Sequence, residues 1–217
     1  MARPKKISVL LAAAVLPAVV ATLAGSGQDG GGPLANPANF TDTAPATFRT
    51  LFDTSAGMFV IQVHRDWAPH GADRFYNLVK SGFYDGNRFF RVIPKFAAQW
   101  GIHGNPGVAQ AWSKARLPPD RAWQSNSRGR VTFAMAGTPD SRTTQVFINY
   151  GNNNRLDIDG FAPIGDVTSS MIIVERLFSG YGEEVDQGRL TLEGQSFLDR
   201  YFPQLSYVRK ATVEQGH

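Results

Sequence analysis

Cysteine is absent from the 217 residues. Its absence excludes a disulfide framework, a thiolate metal site and a lipidated N-terminal cysteine. Histidine is sparse, and His64, His70 and His103 stand apart without a carboxylate or a second histidine at ligand spacing. No metal site is therefore expected. Asp157-Ile158-Asp159-Gly160 opens like a calcium loop but lacks the remaining ligands and the closing glutamate, so a tight turn is the expectation. The excess of positive charge is also thin. The chain carries 22 basic and 18 acidic residues, and removal of Arg3, Lys5 and Lys6 with the N-terminal segment leaves 19 against 18. The basic balance belongs to that segment and gives no reason to expect nucleic-acid binding.

The N-terminal segment itself has a clear pattern. Arg3, Lys5 and Lys6 precede an almost wholly apolar run from Ile7 to Ala24, with small-residue cleavage sites near Ala21 and Ala24. This predicts an export signal over residues 1–24. A retained membrane anchor is the alternative, and Pro17 inside the run argues against a stable spanning helix. Residues 25–47 are rich in Gly, Pro, Asn, Ala and Thr without an apolar period and read as a flexible tether. The G-x-G-x-x-G over Gly25–Gly30 follows no strand and opens no helix, so it does not mark a dinucleotide site. An exported chain without disulfides needs a sizeable core, which the remaining Phe, Val, Ile and Leu can supply.

From Phe48 to Val213 the pattern is that of a folded domain. Phe48–Thr54 and Met58–Val63 alternate around Ser55-Ala56-Gly57 and predict a hairpin. Ala68–Ser81 predicts a helix with Ala72, Phe75, Leu78 and Val79 on its apolar face. Strands are expected at Asn87–Ile93, Arg130–Ala136, Gln145–Tyr150 and Phe161–Ile164, and a last one at Tyr207–Val213. Ser169–Ser179 and Thr191–Tyr201 predict two more helices, the second stopped by Pro203. Gly101–Arg128 reads as a long irregular loop anchored by Trp100, Trp112 and Trp123. Many short strands with a few separated helices suggest a mostly β, closed antiparallel barrel with helices at its ends.

Two segments carry chemistry. In Asn87–Gln99, Arg91 sits in an apolar strand, where alternation puts it on one face with Phe89 and Ile93. A guanidinium there is expected to emerge at a concave, polar-lined surface, because an unpaired buried charge is costly. Farther on, Gln145 and Phe147 share a strand face and set an amide beside a ring. Singly, each residue has an ordinary reading: a solvated arginine, core phenylalanines, surface glutamines. Their joint order, Arg-x4-Phe-x2-Gln followed by Gln-x-Phe, is what singles them out.

Phe90-Arg91-Val92-Ile93-Pro94, Phe96, Gln99 and the Gly129–Asn149 segment closely resemble the signature of the cyclophilins, the barrel-shaped peptidyl-prolyl cis-trans isomerases. The resemblance covers roughly Phe48–Gly180 and implies an eight-stranded closed barrel capped by two helices, plus a short C-terminal helix. It implies Arg91 as the catalytic cation. Phe96 and Phe147 would be rings of the proline pocket, and Gln99 the amide orienting Arg91 and substrate. Ala134 and the backbone of Met135 would pair with the peptide chain. Gln145 would be a second substrate amide, Leu156 a pocket wall, and Phe161 would lie where many members have His. The implied reaction is rotation about X-Pro bonds of exported proteins, needing no cofactor. The implied partners are proline-containing polypeptides, with a membrane involved only if residues 1–24 are retained, and the chain is expected to be a monomer in a bacterial periplasm. A proline-peptide binding module or chaperone with incidental turnover is the rival reading. The sequence departs from the family pattern at Trp100-Gly101-Ile102, Met135, Val146 and Arg155, the last standing where many members carry Trp.

Overall fold

The computed structural model describes residues 31–214. The segment expected to be an export signal and the G-x-G-x-x-G lie outside the described residues. The chain forms one eight-stranded sheet: β1 (Thr47–Thr54), β2 (Gly57–His64), β3 (Arg91–Ile93), β4 (Ala97–Trp100), β5 (Arg130–Phe133), β6 (Val146–Asn149), β7 (Pro163–Ser169) and β8 (Val208–Val213). Its order is β3-β4-β6-β5-β7-β2-β1-β8, with every neighbouring pair antiparallel. The sheet curls so that its two ends approach. There, Arg88 and Tyr207, just before β3 and β8, form an isolated antiparallel bridge. The ends are joined at that bridge and not by a continuous ladder.

The β1–β2 hairpin turns as its alternation predicts, pairing Thr54 with Gly57 and burying every second residue of β1. Phe52 stacks on Phe59 at 5.3 Å and meets Trp100 edge-on at 5.7 Å inside the curl. The first helix, α1 (Pro69–Lys80), buries Ala72, Phe75, Leu78 and Val79 against this core. Each such large side chain contributes about 1.5–3 kcal/mol by leaving water. Ala68 offers α1 no side-chain cap. Asp120, from the long loop, supplies one instead. Its carboxylate accepts from the His70 and Gly71 amides at 3.0 and 2.8 Å and pairs with the buried Arg142 guanidinium at 2.9 Å.

Four expectations for the long loop and the later helices need correction. The long loop contains a helix, α2 (Pro106–Ser113), whose N-terminal amides at Gly107 and Val108 are capped by the Asn105 side chain. Of its tryptophans Trp112 is buried, but Trp123 is exposed and lies under the Arg121 guanidinium. After the short α3 (Arg155–Ile158), the helix expected over 169–179 is only α4 (Met171–Val174). Past it the bonding shortens to a tighter turn, with the Arg176 amide on the Ile173 carbonyl at 3.1 Å and the Leu177 amide on the Val174 carbonyl at 3.2 Å. A return to α-helix would need the Phe178 amide on the Val174 carbonyl. The Tyr150 hydroxyl takes that carbonyl, at 2.5 Å, and Ser206 Oγ takes that amide, at 3.0 Å. The C-terminal helix is two, α5 (Gln187–Glu193) and α6 (Gln195–Tyr201), broken at Gly194. There φ is +67°, and a Cβ would collide with the Gly104 carbonyl, which explains the glycine.

The described part of the expected tether, from residue 31 on, is a strap laid along α1 and α2. The Asp42 amide and carbonyl both bond the Asn77 side chain, and the Ala44 amide donates to Asp73 at 2.9 Å. The Trp112 indole donates to the Leu34 carbonyl at 2.7 Å, and the Phe40 ring lies 5.5 Å from that indole. Gly and Pro content suggested slack chain; the anchoring comes from partners on α1 and α2 that composition does not reveal.

Candidate functional site

Strand register decides which residues face the core and which face the site. Val92, Ala98, Ile148 and Val131 lie in one row across β3, β4, β6 and β5, and all four belong to the main core. The next row is Arg91, Gln99, Phe147 and Thr132. Opposed residues share a face and successive residues alternate, so this second row must project from the outer surface of the curl. Sequence alternation gave Arg91 the same face as Phe89. In the structure β3 begins only at Arg91, and Phe89 joins the main core with Val92.

On that outer surface the predicted residues converge. Gln99 Oε1 lies 3.4 Å from Arg91 Nη1, and Gln99 Nε2 donates to Gln145 Oε1 at 2.8 Å. The Phe96 ring centroid lies 5.5 Å from the Arg91 guanidinium, and exposed Arg155 lies equally close to that ring. Ala134, Met135, Phe147, Leu156 and Phe161 form a small apolar cluster with Ala97, and Phe96 packs at its edge. Phe147 meets Phe161 edge-on at 5.9 Å. All nine sequence-selected residues therefore belong to one contiguous patch: an amide chain leading from a cation to an apolar floor. Phe147 is 0% exposed, packed within this cluster beside Phe161.

Behind the patch stands a buried asparagine network that sequence patterning did not single out. The Asn126 amide donates to Asp157 and to the Phe161 carbonyl, while its oxygen accepts from Thr132. Asn153 donates to the Phe96 carbonyl and to Asn149. These bonds fix the backbone at both rings that flank the cluster. Asp157 also accepts from the Ser125 hydroxyl and the Asn126 backbone amide, which ties the α3 turn to the preceding loop. Among the described residues no group of three or more His, Asp or Glu side chains could hold a metal.

A second unpredicted residue touches Arg91. The Glu183 carboxylate accepts from Nε at 3.1 Å and from Nη2 at 2.7 Å through a single oxygen, Oε2. The Arg91 side chain is 9% exposed and the Glu183 side chain 58%. The two are 92 residues apart, so no spacing in the sequence signals the pair.

An amide, a guanidinium and an apolar floor can hold a polypeptide backbone and bring positive charge beside one of its amides. None of these three groups is a nucleophile or a general base, and the carboxylate beside them, Glu183, is paired with Arg91. Comparison with known proteins agrees with such chemistry. Residues 49–193 match the family model described as cyclophilin type peptidyl-prolyl cis-trans isomerase/CLD. A peptidyl-prolyl cis-trans isomerase of Acinetobacter baylyi is 34% identical over 132 residues, 57% of this chain and 68% of that protein. Peptidyl-prolyl cis-trans isomerase A of Dickeya dadantii is 32% identical over 150 residues, 65% of this chain and 77% of that protein. The fold resembles the crystal structure of a cyclophilin type isomerase of Cryptosporidium parvum, with a TM-score of 0.59 at 16% identity, covering 79% of this chain and 99% of that one.

Proposed function

The chain belongs to the cyclophilin-type peptidyl-prolyl cis-trans isomerases, and we propose that Arg91 is the cation that drives its isomerisation of X-Pro bonds. The barrier to that rotation is ~18–20 kcal/mol of lost amide resonance. As the amide twists, its nitrogen becomes pyramidal and gains a lone pair. A guanidinium beside the bond stabilises that lone pair more than the planar ground state, and such differential binding is what accelerates a reaction. Proline would sit on Phe96, Phe147, Leu156 and Phe161. Gln99 and Gln145 would hold the flanking carbonyls, and the backbone at Ala134 and Met135 would pair with the chain. The single observation that carries this reading is the Arg91–Gln99–Gln145 line of hydrogen-bonding groups beside the apolar cluster. It also favours catalysis over a pure binding module, which has no need of the guanidinium.

Exported proteins are the proposed clients, on the strength of the Arg3–Ala24 pattern, with cleavage after Ala21 or Ala24 and a periplasmic location. Unaided X-Pro isomerisation takes tens to hundreds of seconds and can limit folding. The Arg88–Tyr207 bridge supports reading the curled sheet as a barrel with its seam there.

The test is Arg91→Ala, assayed by protease-coupled or NMR exchange measurement on a proline peptide. The expected loss is about 10²–10³ in kcat/KM, the scale of removing one preorganised donor, with the fold retained. Because the proposed reaction uses no general acid or base, wild-type turnover should be flat from about pH 6 to 8. Undiminished activity of a folded Arg91→Ala protein would overturn the mechanism.

A further inference from the structure

The segment from Ser179 to Leu205 brings a carboxylate to Arg91. We propose that Glu183 is a positioning residue for the isomerase reaction, fixing the guanidinium in the orientation that serves the substrate. This rests on the reading of Arg91 as the catalytic cation.

Three observations support it. The Arg91 side chain is nearly buried, and its other hydrogen-bond partner, Gln99 Oε1, is 3.4 Å away. A buried guanidinium with one long neutral bond is poorly determined and costly, and Glu183 supplies the missing charge partner. Next, the two partners hold opposite ends of the group. Glu183 takes the Nε–Nη2 edge through Oε2, while Nη1 points to Gln99 and so toward Gln145 and the apolar cluster. Of the five guanidinium N–H donors three are engaged, which leaves two on the terminal nitrogens for a substrate. A carboxylate placed to block the cation would lie on the Nη1 side. Finally, Glu183 is itself held. On one side Tyr181 packs between Phe178 and Phe202, each at 5.1 Å between ring centroids. On the other, Val185 is buried in a second apolar core with Phe90, the residue next to Arg91. The loop is thus pinned two residues before and two after the carboxylate.

The experiment is a double-mutant cycle on the full chain, reading kcat and KM separately on a proline peptide. Glu183→Ala should lower kcat about tenfold with KM within about twofold, since loss of orientation affects the reacting geometry more than ground-state binding. Glu183→Gln keeps an acceptor oxygen and should recover part of that loss. In an Arg91→Ala background, Glu183→Ala should change nothing further. Wild-type or faster turnover of Glu183→Ala, with Arg91→Ala impaired, would overturn the positioning role and leave the Arg91 mechanism standing. An equal loss in both backgrounds would show that Glu183 acts on general structure and would also overturn it. Full activity of Arg91→Ala alone would remove the premise, a distinct result from either.

Discussion

At the scale of single residues, burial separates side chains that hold the site from those that present it. Phe147 lies in the same row as Arg91 and Gln99 yet is wholly covered. Truncating it removes ring contacts and leaves a cavity, so Phe147→Ala should cost about 3–5 kcal/mol of stability. The same change removes the floor under the proposed proline site, so kcat/KM should fall in the protein that remains folded. Denaturant titration with activity assays below the transition measures both. Lost stability with intact specific activity would make Phe147 core alone. His103 poses a question of pH. Burial lowers its pKa below the ordinary value, its ring lies 5.2 Å from Phe83, and its Nδ1 accepts from the Asn105 amide that begins α2. A histidine with a depressed folded pKa stays neutral in the native state after the unfolded chain has begun to take up a proton. Its contribution to stability is therefore complete above about pH 6.5 and lost as pH falls below it. Paired thermal melts at pH 7.5 and 5.5 should show a smaller acid-induced drop in Tm for His103→Gln than for wild type. Equal drops would assign the acid sensitivity elsewhere.

At the scale of elements, the strap makes a prediction opposite to the one its composition suggests. A chain beginning at Ala44 loses the acceptor of the Trp112 indole, the Phe40 ring and both Asp42–Asn77 bonds. At about 1 kcal/mol net for each hydrogen bond, with ring burial added, Tm should fall by roughly 5–10 °C for a domain of this size. Isomerase activity at 25 °C should persist, because these contacts lie on α1 and α2 and not on β3, β4 or β6. Unchanged Tm would show that the strap adds nothing. The strap was illegible in sequence for the reason α4 was overcalled: both depend on long-range hydrogen bonds. Asn77 and Trp112 hold the strap, and Tyr150 and Ser206 occupy the Val174 carbonyl and Phe178 amide that a longer α4 would pair. By contrast β1, β2 and α1 were legible, because alternation in the strands and the spacing of Ala72, Phe75, Leu78 and Val79 write burial directly into the order of residues. The joint motif singled out Arg91, Phe96, Gln99, Gln145 and Phe147, while Ala134, Met135, Leu156 and Phe161 rested on the family resemblance alone. That all nine share one patch is a matter of strand register and packing. Glu183 was not legible, since nothing local distinguishes it from any solvated glutamate.

At the scale of the molecule, the chain is a curled sheet with an accessory C-terminal module that has its own core. Phe197, Leu198, Leu190, Val185 and Leu205 pack with Ile102, Ala109 and Phe90, apart from the main cluster. Phe197 is its centre: buried, 5.5 Å from both Tyr201 and Phe202, with the Arg189 guanidinium 4.3 Å above its ring. The sheet keeps its ladder and its aromatic core whether or not this module is tight, because β8 returns past the module to pair with β1. Phe197→Ala should therefore loosen α5, α6 and the Glu183 loop first. Hydrogen exchange should quicken over residues 180–205 while amides of β1 and β2 stay protected. If the module's bearing on catalysis runs through Glu183, the activity of Phe197→Ala should fall toward that of Glu183→Ala and no farther. Combining the two substitutions should then add nothing to the activity loss. Exchange that rises evenly across the sheet and the module would mean that the two cores unfold as one. In that case the carboxylate over Arg91 is held by the whole fold and not by the module alone.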